Sequence, residues 1–104
     1  MGLFSNLFGT SAPAANLQNI IDDGAFLADV RTAGEFTQGH VKGSINIPLD
    51  RVSFELAKFK NKKNIIVFCR SGARSGQAKN ILEQNGFTNV INGGTWEEVN
   101  QFVK

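Results

Sequence analysis

The stretch from Ile65 to Ser75 reads IIVFCRSGARS. Ile65–Phe68 is apolar throughout and rich in β-branched residues, the pattern of a strand covered on both faces. Cys69 stands at its end. A short loop with Gly72 follows, and then Ser75–Asn85 carries Ala78, Ile81 and Leu82 at helical spacing, with Gly86 beyond as a stop. A buried strand, a glycine-bearing loop and a helix make up the repeating unit of a parallel α/β sheet. In such sheets ligands bind beyond the carboxyl ends of the strands. The Cys69 thiol therefore sits where loop N–H groups converge at a helix N-terminus, an arrangement that binds anions. A thiolate is itself an anion, so the same donors lower its pKa, and Arg70 and Arg74 are expected to act in the same sense. Gly72 lets the backbone turn through positive φ. The plainer reading makes Cys69 a buried small hydrophobe; two arginines and a glycine within five residues argue against it.

Upstream, Asn16 is expected to cap a helix with Leu17, Ile20 and Ile21 on one face, ending at Gly24. Ala25–Val30 is predicted as a buried strand. Thr32 and Glu35 form a T-x-x-E capping box for a short helix. Ser44–Ile47 is predicted as a short strand that stops at Pro48. Asp50 or Ser53 then caps a predicted helix bearing Val52, Leu56 and Phe59. Downstream, Thr88–Ile91 is predicted as the last strand. Thr95 and Glu98 make a second capping box for a final helix with Trp96, Val99 and Val103. This order of elements predicts α/β layers around a mainly parallel sheet.

The 104 residues suit one domain with one real core. Residues 1–15 read as an N-terminal arm, flexible or packed, and 16–104 as the domain. Leu3, Phe4, Leu7 and Phe8 have helical spacing, so a partner or membrane contact is the alternative for the arm. There is no basic n-region, and Asn6 breaks the myristoylation pattern. No run approaches the ~18 apolar residues of a membrane span. A net charge of +2 is too small to argue for nucleic acid but suits a small anionic substrate. The single cysteine excludes an internal disulfide framework and any multi-cysteine metal site, and it suggests a reducing compartment, hence a cytoplasmic location. No metal or cofactor is expected.

A cradled thiolate has few uses that fit. A cysteine protease needs a histidine base, and nothing pairs the sole histidine, His40, with Cys69. A tyrosine-phosphatase loop has the spacing C-x5-R, whereas Cys69 and Arg74 give C-x4-R. A disulfide oxidoreductase needs a second cysteine. What remains is a nucleophile that takes up one atom from a polarised donor and becomes a persulfide.

The chain resembles a single-domain rhodanese, a sulfurtransferase. The resemblance rests on Asp29-Val30-Arg31 with Glu35-Phe36, on Gly39 to Pro48 (GHVKGSINIP), on Ile66 to Ser75, and on Asn92-Gly93-Gly94 with Trp96. It covers about residues 16 to 103. Each piece is weak alone; four in this order are specific. The resemblance implies a rhodanese-like α/β fold with a mainly parallel central sheet of four to five strands and helices on both faces. It implies that Cys69 is catalytic and accepts a sulfane sulfur from thiosulfate or a persulfide, then yields it to a thiol, including a protein thiol, or to cyanide. The six-residue loop from Cys69 to Arg74 is the family's sulfur-sized version; phosphatase relatives carry a seventh residue. Arg70, Ser71, Gly72, Ala73, Arg74 and Ser75 are expected to bind substrate, with Arg74 docking the anionic donor. Asp29, Arg31 and Glu35 are expected to support the loop, Arg31 pairing with Glu35. His40 reads as structural, Lys42 as solvated and Trp96 as core. No nucleic acid or membrane partner is expected, and the protein is expected to be a monomer or weak dimer. A non-catalytic rhodanese-like binding module is the alternative function.

Two departures from the family pattern stand out. Gly9–Ala15 gives a poor signal for the strand that many relatives place before the first helix. Gly34 interrupts a short helix, at a cost of ~1 kcal/mol.

Overall fold

The structure is a computed structural model and describes residues 14–104. The first helix, α1 (Ala14–Asp22), turns Leu17, Ile20 and Ile21 toward the sheet and ends before Gly24, whose φ is +86°. Asn16 is not its cap: the helix begins two residues earlier and Asn16 lies inside its first turn. Residues 1–13, and with them most of the arm and of the doubtful first strand, lie outside the described residues; Ala14 and Ala15 are helical.

Strands β1 (Phe26–Asp29), β2 (Ile45–Asn46), β3 (Ile65–Cys69) and β4 (Val90–Thr95) form a four-stranded sheet in the order β2-β1-β3-β4. All three pairings are parallel. The fold is therefore α/β, with two cores divided by the sheet. Along β3, side chains alternate between the faces, as strand geometry requires. Ile65, Val67 and Cys69 join Ala28, Val30 and Val90 under α3 (Ala73–Gln84), which contributes Ala78 and Leu82. Ile66 and Phe68 join Leu27 on the other face, against Leu17 of α1 and Val99 of α4 (Trp96–Asn100). Every residue of β3 is buried, which explains why this strand reads as one unbroken apolar run.

The segment after Pro48 departs from expectation. It forms two 3-10 helices, Leu49–Phe54 and Leu56–Phe59, with no side-chain cap from Asp50 or Ser53. They meet at Glu55, whose φ of −126° breaks any continuous helix. Val52, Ser53 and Phe54 are poor α-helix formers, and short 3-10 turns still bury Val52 and Phe59. The last strand also differs, running from Val90 through Asn92-Gly93-Gly94 to Thr95. Gly93 makes that course possible: a Cβ there would lie 2.8 Å from both Ile66 Cγ2 and Val99 Cγ2. The final helix stops at Asn100, short of Val103, which nonetheless packs on the second core.

Both capping boxes form as read. The Glu35 and Glu98 N–H groups donate to the Thr32 and Thr95 hydroxyls, and each glutamate accepts from its threonine's backbone N–H. The first box starts α2 (Ala33–Gln38), and so fixes Glu35 beside the loop after β3.

Candidate active site

Cys69 ends β3 at the carboxyl edge of the sheet, and α3 starts at Ala73. Gly72, at φ +93°, turns the chain between them. The turn brings backbone donors onto the sulfur. The Gly72 N–H donates to Cys69 Sγ at 3.0 Å and the Ser75 N–H at 3.4 Å. The thiol faces the Ser75 hydroxyl oxygen at 3.5 Å. Cys69 is 0% exposed. Burial, the largest single influence, pushes its pKa up. Hydrogen bonds from the Ser75 side chain and from the N–H groups of Ser75, Ser71 and Gly72 outweigh it, so the thiol lies below its ordinary value. The groups on the sulfur are N–H donors and the Ser75 hydroxyl; neither Arg70 nor Arg74 hydrogen-bonds it.

Asn92, on β4, supports the cradle from behind, a role its sequence context did not reveal. The Ser75 hydroxyl lies 2.7 Å from Asn92 Oδ1, which also accepts the Gly94 N–H at 2.9 Å. Asn92 Nδ2 donates to the Gly72 carbonyl at 3.3 Å. One side chain thus holds Gly72 and Ser75, two of the residues whose N–H groups act on the sulfur. Asn92 falls in the Asn92-Gly93-Gly94 motif, but its partners lie 17 and 20 residues away, and no local pattern announces them.

The arginines pair otherwise than expected. Arg31 does not bind Glu35. Its Nε donates to both Asp29 oxygens, at 3.0 and 2.9 Å, and its Nη2 donates to Asp29 Oδ2 and to the Gly39 carbonyl, both at 2.7 Å. Residues two apart on an extended chain share a face, so the buried Asp29 finds its cation locally. The Arg31 guanidinium also stacks 4.7 Å from the Trp96 ring centroid.

Glu35 instead binds Arg74. Nη1 meets Oε1 at 2.7 Å and Nη2 meets Oε2 at 3.1 Å. Arg74, together with the Thr32 backbone and hydroxyl, holds the Glu35 carboxyl down at about 2, against an ordinary value of 4.5. The same pairing raises the Arg74 pKa. The guanidinium is thus committed to Glu35 rather than free for a donor. Of the other loop residues, Arg70, Ser71 and Ala73 are exposed. His40 donates through Nδ1 to the Phe36 carbonyl at 2.8 Å and stacks on the Phe36 ring, a structural role. Lys42 is exposed. Beside the loop opens a cleft of about 270 Å³, lined among others by Arg31, Glu35, Gly39, Arg70 and Trp96.

Comparisons with known proteins bear on this geometry. The sequence model of the rhodanese-like domain family matches residues 13–98. The thiosulfate sulfurtransferase PspE of Escherichia coli is 42% identical over 73 residues, covering 68% of this chain and 70% of that protein. The thiosulfate:glutathione sulfurtransferase of Saccharomyces cerevisiae is 32% identical over 82 residues, covering 66% of this chain and 59% of that protein. Among solved structures, an Escherichia coli rhodanese with anions superimposes with a TM-score of 0.66 at 40% identity, covering 72% of this chain and 91% of that one.

Proposed function

The chain belongs to the rhodanese-like domain family, and we propose that it is a sulfurtransferase that carries a sulfane sulfur as a persulfide on Cys69. One observation carries the reading: the sole cysteine lies at the carboxyl end of the central strand, under the Gly72 and Ser75 N–H groups. Relatives named thiosulfate sulfurtransferases support a sulfurtransferase role.

The chemistry follows from that cradle. No histidine stands by to take the thiol proton, since His40 is engaged with Phe36. The nucleophile must therefore react as a thiolate, a form that the lowered pKa favours. It attacks the outer sulfur of thiosulfate. The new S–S bond forms on Cys69 as the donor's own S–S bond breaks, and sulfite departs with the electron pair. The terminal persulfide sulfur carries the negative charge, and the loop N–H groups are positioned to stabilise it. A thiol or cyanide then attacks that sulfur and returns the pair to Cys69. The cycle is ping-pong through a covalent intermediate. A cytoplasmic setting fits a lone thiol that must remain reduced. Among the described residues no helix is long and apolar enough to cross a membrane.

The test is turnover by Cys69→Ser. The wild type should form thiocyanate from thiosulfate and cyanide, and the folded variant should form none. Equal turnover by the two proteins would overturn the assignment.

A further inference from the structure

Two charged side chains beside the loop have no place in the mechanism above. Arg70 is the first residue past β3. Glu97 is the second residue past β4, in the first turn of α4. Strand pairing sets Cys69 opposite Thr95, so the chain leaves both strands side by side at the same edge of the sheet. Arg70 and Glu97 both line the cleft of about 270 Å³ there, with the Trp96 ring in its wall. The other charges in that wall are committed, Arg31 to Asp29 and Glu35 to Arg74. Arg70 and Glu97 are exposed, and among the described residues neither side chain has a hydrogen bond or ion pair. Among the described residues, the cleft beside the loop thus offers one free cation and one free anion.

That combination discriminates between ligands. A dianion is drawn by Arg70 and repelled by Glu97, so the two effects oppose each other. A zwitterion with one carboxylate and one ammonium satisfies both at once. We propose that Arg70 and Glu97 are specificity-determining residues that select, as sulfur acceptor, a small thiol carrying both a carboxylate and an ammonium group. The proposal rests on the Cys69 persulfide and concerns only the second half of the cycle. In that step the acceptor thiol passes its proton to the persulfide anion, and the resulting thiolate attacks the outer sulfur. A bond forms between acceptor sulfur and transferred sulfur, and the bond to Cys69 Sγ breaks. Its electron pair returns to Cys69 as the thiolate, and the acceptor leaves as a hydropersulfide that keeps the proton. No other oxidant or reductant is required.

The experiment loads the full-length protein with thiosulfate, removes the excess, and follows sulfur release to four thiols. Cysteine carries both charged groups, cysteamine only the ammonium, mercaptopropionate only the carboxylate, and mercaptoethanol neither. Rates are compared per thiolate, which removes differences in thiol acidity. In the wild type, cysteine should exceed each singly charged thiol by roughly threefold to fivefold, the scale of an exposed ion pair. Arg70→Ala should erase the advantage of cysteine over cysteamine and keep that over mercaptopropionate. Glu97→Gln should do the reverse. Equal rates for all four thiols in loaded wild type, or variants that slow every thiol alike, would overturn this proposal alone. Failure of Cys69 to load would overturn the persulfide reading and this proposal with it.

Discussion

Glu35 grips the Arg74 guanidinium with both carboxylate oxygens, at 2.7 and 3.1 Å, while its Oε1 also accepts the Thr32 N–H. One carboxylate therefore joins the start of α2 to the start of α3, the helix that carries the sulfur-binding loop. Arg74 acts through that joint.

Its removal should damage the loop rather than one class of donor. Arg74→Ala should lower kcat/KM for thiosulfate and for an uncharged trisulfide by similar factors, since both need the same N–H groups. Steady-state kinetics with the two donors checks this. A loss confined to thiosulfate would show that Arg74 binds the anion itself.

The same pair makes stability depend on acidity. The Glu35 carboxyl is held at about 2 in the folded protein, against an ordinary value of 4.5. A depressed carboxylate pKa contributes stability that is fully present above the unfolded value and lost as pH falls through the folded one. Solvent reaches both partners, whose side chains are 32% and 28% exposed, so the effect is only about 1 kcal/mol after screening. In urea titrations, wild type and Arg74→Ala should differ most above a pH of about 4.5 and converge near pH 2. A pH-independent difference would contradict the pairing.

Ser75 is the donor whose loss should be most visible at the sulfur. It contributes both hydroxyl and N–H to the depressed Cys69 pKa. Iodoacetamide reactivity against pH should show a wild-type midpoint below the ~8.5 of a free cysteine, and a higher midpoint in Ser75→Ala. Identical profiles would remove the hydroxyl from the account.

Asp29 and Arg31 form a buried pair, 0% and 4% exposed. Asp29→Ala leaves the guanidinium charge uncompensated and should cost about 3–5 kcal/mol in denaturant titrations. A loss under about 1 kcal/mol would mean that water reaches Arg31 readily.

Local signals were legible and distant pairings were not. The strand Ile65–Cys69, the turn at Gly72 and both threonine–glutamate capping boxes depend on neighbours in the chain, so the sequence displays them directly. The parallel order follows from the alternation of helix and strand. The partner of Arg74 lies 39 residues away, and Ser75 meets Asn92 across 17. Such choices depend on which loops the sheet brings together. Arg31 had two carboxylates within four residues, and burial of Asp29 decided between them. The segment after Pro48 misled because its apolar spacing fits an α-helix, whereas its weak helix formers settle into 3-10 turns.

The mechanism turns on the Cys69 persulfide, and the intact mass of the protein reads it directly. After incubation with thiosulfate, the wild type should gain one sulfur atom, located by peptide mapping at Cys69 and removed by cyanide. Cys69→Ser should gain none. An unchanged wild-type mass, or a gained sulfur that persists in the serine variant, would contradict the account.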